Sequence, residues 1–558
     1  MLEHKCLVNK LNLAKGEQNM REIQIASKKL TTGKSTRLML ASVLVGALLS
    51  ACSSNDPATE SDVYLDGVGL YNAKNYSGAV AHFKDEITSY PAGDFTDDAY
   101  FYLGKSEYWL KDYVAASADF GTLLTDFPTS DILDKGQYWK AKTLHQQNNF
   151  VDARTAYQAV VTHNATSSYL DDAAYGVAKT YYDEKNYASA EIEFANVLAP
   201  PHVLNSKSDN SQYYYAKSLH AQGKFPEART EYEALISNVD YATSGWLDNA
   251  QSQIWQTYMD AGDFTGAIAS INALLADPNA SLANKELAQY NLGDAYHQNN
   301  DFVKARVEYN KLIATYSTSL FVDDAHYQIG KTYYEEARIA ASAALAAIPP
   351  TIPDAKLYDL AIPDFQKAVA MIGSSSADNA QLYIGKARHK QAQLSSVAAD
   401  YDVARAEYAK LNTTTYPGSS KLDNAIFEIG KTHYDEANYD LAIVEFDKVV
   451  TDYSAGGSAD NSLYYKGHSL RKLATAATTP DYAAARATYG LVITNYLTST
   501  KADNAQYYIG YTYHLEGNCT QEQTEMQKVV TNYASSTYAV KAQGHIDAIV
   551  AATHTTCI

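Results

Sequence analysis

One phrase recurs along the whole chain: Y-x-x-[GA]-[KX], with its small residue at Gly67, Gly104, Ala141, Ala178, Ala216, Gly293, Gly330, Gly385, Gly430, Gly467 and Gly510, and Trp255 in the same register. The successive spacings are 37, 37, 37, 38, 39, 38, 37, 55, 45, 37 and 43. Twelve residues after this anchor stands an Ala (Ala79, Ala116, Ala153, Ala190, Ala228, Ala267, Ala305, Ala442). Sixteen residues after it stands an aromatic or apolar residue (Phe83, Phe120, Tyr157, Phe194, Tyr232, Ile271, Tyr309, Phe446). Two helices joined by a tight turn fit this pattern: the small residues let the helices approach, and the large one fills the space between repeats. A unit of this size cannot bury its apolar face alone, so neighbouring units must stack. The 47 tyrosines among 558 residues are the signature of fixed slots in such a repeat.

Connectors such as LTDFPTSDILD and VTDYSAGGSAD carry Pro, Gly or Ser after the second helix. An Asp (Asp97, Asp171, Asp248, Asp323, Asp378, Asp423, Asp503) opens the next helix and is expected to be its N-cap. Extra residues precede Ala361, Ala404 and Ala485, all in the turn between the two helices of a repeat, so that edge is expected to be thicker in the C-terminal half. The last repeat decays, with Cys519 in place of Tyr, Glu522 in place of Ala and Met526 in place of the aromatic.

The formal charge is -19, from 45 basic and 64 acidic residues, so no overall basic field exists to hold a phosphate backbone, and nucleic acid is excluded as the main partner. No Gly-rich phosphate loop, G-x-S-x-G elbow or H-E-x-x-H is present, and nothing in the sequence argues for an enzyme, a cofactor or a metal. His145, His220, His297, His389 and His514 each lie four residues after their anchors. One per repeat, they form a ladder too widely spaced to share a metal.

Residues 1–51 combine a basic segment with the apolar stretch LMLASVLVGALLSA, too short to span a bilayer. The sequence Leu49-Ser50-Ala51-Cys52 resembles the lipobox of bacterial lipoproteins, which implies cleavage before Cys52 and its acylation; Met20 is the expected start. Removing residues 1–51 leaves a charge of -24. Ser53 after the Cys implies, by resemblance to enterobacterial sorting, delivery to the outer membrane. Residues 52–61 read as a polar tether.

The repeats resemble tetratricopeptide repeats, whose pattern has a small residue at position 8, Ala at 20, an aromatic at 24 and often Pro at 32; Gly104, Ala116, Phe120 and Pro128 match it. Most repeats depart from it at position 4, with Gln137, Gln212, Gln251, Gln289, Gln381 and Gln506, and place Tyr at position 5. The composite repeat phrase ADNAQYYIGKTYY, present as ADNAQYYIGYTYH at 502–514, is most similar to the envelope subclass found in the Tol-Pal-associated periplasmic protein and in the lipoprotein of the β-barrel assembly machinery. The resemblance implies an all-α helix-turn-helix superhelix of about twelve repeats. Repeats one to eight are expected to begin within 62–335, an Ala/Pro-rich insertion to occupy 336–360, the remainder to fill 361–535, and a capping helix with its tail to occupy 536–558.

In the resembled fold, the residue after each anchor (Lys105, Lys142, Lys179, Lys217, Lys331, Lys386, Lys431) faces a concave groove. So does the Tyr/His slot four residues after it (Tyr108, Tyr182, Tyr334, Tyr434, His145, His220, His297), together with the position-5 tyrosines. Such a groove suits an extended peptide or an acidic chain terminus. The competing structural reading has the rings in inter-repeat packing and the lysines paired with acids. An antiparallel capping helix would return Cys557 to Cys519; a disulfide there is expected to add roughly 3 to 4 kcal/mol.

The implied protein is a non-enzymatic, outer-membrane-anchored scaffold facing the periplasm. It would bind other envelope proteins or their extended peptides, for β-barrel assembly or for Tol-Pal-type coordination. A glycan-binding or export-associated lipoprotein and a structural spacer are the alternatives.

Overall fold

The structure of the protein, a computed structural model, describes residues 59–163, 167–199, 207–347, 351, 353–371, 373–496 and 498–551. All regular structure among the described residues is helical. The chain divides into two compact units, Met1–Val160 and Val161–Ile558. Cys52 and Cys557 lie outside the described residues.

In the first unit the pairs are Glu60–Asn72 with Tyr76–Ser89, Thr96–Trp109 with Tyr113–Asp126, and Leu133–Gln146 with Phe150–His163, the last helix running across the division. In the second unit nine further pairs follow, from Leu170–Asp183 with Tyr187–Leu198 to Ala502–Leu515 with Cys519–Asn532. A final helix, Thr537–Val550, packs on the last of these.

The anchor works by steric exclusion. A Cβ built on Gly293 would lie 2.4 Å from the Tyr309 ring, and one on Gly430 would lie 2.6 Å from Phe446. The large residue at +16 therefore sits on the anchor of its own repeat, where the pattern suggested it fills the space between repeats. The Ala at +12 is completely buried throughout, from Ala79 to Ala442.

The turn inside a pair is equally regular. A residue with left-handed backbone (Lys74, Lys111, Asn148, Lys185, Gly223, Gly262, Asn300) ends the first helix. The next residue, Asn75, Asp112, Asn186, Asp263 or Asp301, caps the second helix through its side chain.

The aspartates expected to cap the first helices do not. Asp423 is the second helical residue, after the N-cap Lys421, and its Oδ2 accepts from the Ser458 backbone N–H at 3.0 Å. Ser244, Ser419 and Ser499 likewise donate their hydroxyls to Asp209, Asp378 and Asp460 at 2.7, 2.6 and 2.6 Å. These carboxylates tie one repeat to the connector that opens the next, and their sequence separation of roughly one repeat hides this from local capping rules.

The glutamines at position 4 replace a large apolar residue with a hydrogen-bonded one. Gln289 Nε2 donates to the Glu308 carbonyl at 3.1 Å, and Gln381 to that of Glu407 at 3.0 Å. In the second unit an arginine clamps neighbouring repeats together. The Arg306 guanidinium lies 4.0 Å over the Tyr333 ring, donates to Thr332 and meets Glu336 at 2.9 Å; Arg229, Arg405 and Arg486 reach Thr257, Thr432 and Thr512 in the same way. Arg306→Ala is expected to cost about 1 to 2 kcal/mol, and Arg306→Lys to recover little of it because the planar fork is lost. Urea denaturation of the two variants checks this.

The insertions are more ordered than turn loops. Three first helices lengthen to Val322–Ala346, Ala377–Ser395 and Ala459–Ala476. The returning segments then place Tyr358, Tyr401 and Tyr482 in the interior, at 1, 7 and 2% exposure.

Candidate functional site

The residue after each anchor points along the face made by successive first helices, because one step on a helix turns the side chain about 100° away from the partner helix. In the first unit, Lys105 Nζ lies 4.8 Å from the Tyr71 ring, 5.2 Å from Tyr102 and 5.1 Å from both Phe101 and Trp139. Lys142 Nζ lies 4.5 Å from Trp139 and 5.2 Å from Tyr108. Trp139 thus stands between two ammonium groups. Burial, reinforced by Lys142 and Lys135, pushes the Lys105 ammonium down to about 8.

The second unit repeats the motif. Lys179 and Lys217 flank Tyr214 at 4.8 and 5.9 Å and Tyr182 at 5.4 and 5.7 Å. Burial and then Lys179 lower the Lys217 ammonium, while Lys179 also pairs with Asp183. Lys386 and Lys431 lie 5.1 Å over Tyr383 and Tyr465. Burial disfavours the charge on Lys431, yet Tyr465, Glu428 and Asp435 outweigh burial and hold its ammonium above the usual range. Acidic neighbours therefore support the charge here, as they do not at Lys105. Lys331 lines a cavity of about 340 Å³ with Asp294, His297, Gln328, Glu335 and Arg338. Burial pushes His297 down to about 4 and Asp294 up to about 6.

The Tyr/His slot borders the lysine face, with Tyr108 and Tyr182 beneath ammonium groups and His297 in the Lys331 cavity, and is also tied to the second helix of its own repeat. Tyr108 and Tyr334 are buried, at 8 and 7% exposure. Six of the seven rings meet edge-on the first aromatic of their own second helix: Tyr108 with Tyr113, His145 with Phe150, Tyr182 with Tyr187, His220 with Phe225, His297 with Phe302 and Tyr434 with Tyr439; Tyr334 meets Tyr358 of the inserted segment instead. The slot is a clamp across the turn, which explains why Tyr and His interchange there. The position-5 tyrosines are also packing residues: Tyr64, Tyr213 and Tyr290 stack on Phe95, Trp246 and Phe321, which precede the next first helix. Trp255 is buried at its anchor.

The pattern-based reading missed the rings that surround the lysines. Tyr102, Tyr214, Tyr383 and Tyr465 stand two residues before their anchors, and a tyrosine at that fixed offset was the available signal. Cys519 is disulfide-bonded. No helix among the described residues is long and apolar enough to cross a membrane.

Stacked helix pairs with close-packed anchors, presenting a face of first helices, define a tetratricopeptide-repeat protein. The comparisons agree. Residues 256–319 and 211–234 match tetratricopeptide-repeat family models, and residues 56–151 match the outer membrane lipoprotein family YfiO. The chain thus carries tetratricopeptide repeats and, over residues 56–151, a segment similar to the outer membrane lipoprotein family, and stacked repeats of this kind support a protein–protein interaction scaffold.

No curated protein matches it. Among solved structures, a tetratricopeptide repeat protein from Parabacteroides merdae is 16% identical over 46% of this chain and 92% of its own, with a TM-score of 0.33. The C-terminal part of a repeat protein from Cytophaga hutchinsonii is 20% identical over 52% and 98%, with a TM-score of 0.35. Yeast Tom70 is 14% identical over 88% and 96%, with a TM-score of 0.37.

Proposed function

We propose that this protein is an outer-membrane-anchored lipoprotein, acylated at Cys52, that captures extended acidic segments of other envelope proteins on its lysine and aromatic face. The observation that carries this reading is the Lys105–Trp139–Lys142 arrangement. An ammonium already stripped of much of its water and placed beside a second one gains more from an incoming carboxylate than a solvated lysine would. The surrounding rings add contact area that costs little entropy to order. Lys179, Tyr214 and Lys217 offer the same chemistry in the second unit. The match of residues 56–151 to the outer membrane lipoprotein family supports the location, and β-barrel assembly or Tol-Pal-type coordination is the service proposed.

The test is a titration of the protein with an oligoglutamate peptide, followed by Trp139 fluorescence. Saturable quenching or shift is expected, with the affinity falling roughly tenfold or more in Lys105→Gln/Lys142→Gln while the melting temperature is retained. A flat titration, or an unchanged affinity in the double variant, defeats the reading. Cross-linking of the lipidated protein in outer membranes then asks whether β-barrel assembly or Tol-Pal components are recovered.

A further inference from the structure

We propose that His514, Glu522 and His545 form a binding site for a first-row divalent metal ion, Zn²⁺ by the nature of its donors, where the last repeat meets the final helix. Glu522 occupies the position that other repeats give to a buried Ala, and it is itself completely buried. A carboxylate placed at the tightest contact between two helices needs a compensating partner. Among the described residues two imidazoles meet it, His545 Nδ1 at 2.6 Å and His514 Nδ1 at 3.2 Å, both on Oε1.

The three side chains come from three different helices, Ala502–Leu515, Cys519–Asn532 and Thr537–Val550. One ligand atom from each lies within 4.8 Å of the others. Ligands about 2.1 Å from a tetrahedral ion stand roughly 3.4 Å apart, so small side-chain rotations close the site. The second nitrogen of His545, Nε2, lies 3.2 Å from the Tyr507 hydroxyl. That contact orients the ring with Nδ1 toward Glu522, as an outer partner of a metal-bound histidine does. The Tyr511 ring stacks on His514 at 5.4 Å. The two histidine side chains keep 19 and 20% exposure, which leaves a path for entry of the ion.

Two imidazoles with one carboxylate select Zn²⁺ over the hard cations Mg²⁺ and Ca²⁺, which take oxygen donors. The ladder reading placed His514 among histidines too far apart to share an ion; its partner His545 lies outside the repeat pattern. A bound ion would lock the final helix onto the last repeat.

The test uses the untagged, chelator-treated full chain titrated with ZnCl₂ by calorimetry. One tight equivalent is expected, together with Zn²⁺-dependent hydrogen-exchange protection of residues 537–550. Glu522→Ala restores the residue of the other repeats and so keeps the fold; it and His545→Gln are expected to weaken binding roughly 100-fold or more, and Tyr507→Phe about tenfold. Failure to bind one equivalent, or undiminished binding by Glu522→Ala, overturns the proposal and leaves a hydrogen-bonded His–Glu–His trio.

Discussion

Truncating Phe446 to Ala is expected to cost about 4 kcal/mol of stability, the largest effect of any single side-chain truncation considered for this protein. Phe446 is completely buried, seats on the anchor Gly430, and is flanked by Phe427 and Tyr465 at 5.8 and 6.0 Å. Nothing nearby can collapse into the vacated space, because the anchor has no side chain and both helices are held apart by the neighbouring repeats. Stacked repeats contact only their neighbours, so the loss is expected to be local. Hydrogen exchange should rise in residues 422–476 and stay near the wild-type level in residues 208–237. Val444, exposed on the same helix, is the control, and Val444→Ala is expected to cost less than about 0.5 kcal/mol. Equal losses from the two variants would refute the anchor-and-ring account of the core.

Replacing Glu86 by Leu is expected to stabilise the first unit, and to do so more at high pH than at low. Glu86 lies nineteen residues after its anchor, where other repeats place Leu123, Val160, Val197, Leu235, Leu312, Val449 and Val529, all buried. It is completely buried too, and neither carboxylate oxygen has a hydrogen-bond partner. Desolvation, with a smaller contribution from Glu60, pushes its carboxyl from 4.5 up to about 7. A group whose folded value is raised takes up a proton on folding; its neutral form is fully tolerated below 4.5, and stability is lost as pH rises through 7. The Asp119 carboxyl, raised to about 8 by burial and by its hydrogen bond to Glu107, acts in the same direction.

The unfolding midpoint of residues 59–160 is therefore expected to fall between about pH 5 and about pH 8 in the wild type. Glu86→Leu should be about 3 kcal/mol more stable than wild type at about pH 8 and about 1 kcal/mol more stable at about pH 5. Hydrogen exchange of peptides from this unit at the two pH values measures it. A gain independent of pH would show that Glu86 does not titrate in this window.

Glu86 and Glu522 make an instructive pair. Both are carboxylates at positions the repeat reserves for apolar residues, one in the first repeat and one in the last. Sequence alone shows both substitutions and treats them alike. Tertiary structure separates them: Glu522 is met by two imidazoles from other helices, whereas Glu86 meets none.

The same division runs through the molecule. Period, helix pairing, the small anchors and the buried Ala at +12 were legible in the sequence, because each is a short-range steric requirement repeated many times over. The lysine row was legible as a row. What surrounds each lysine was not, since Lys105 is enclosed by rings from three successive first helices while Lys431 shares its surroundings with Glu428 and Asp435. The aspartates looked like N-caps because capping is local, yet Asp323, Asp378, Asp423 and Asp503 bind a serine one repeat further on. The Tyr/His slot was legible as part of a face; that its rings also clamp the turn by meeting the first aromatic of the second helix was not, because resemblance supplies a face and not a neighbour. Repetition writes the fold into the sequence at fixed spacings, but the partners of polar groups lie one repeat or one helix away, and only the stacking of helix on helix determines which of them meet.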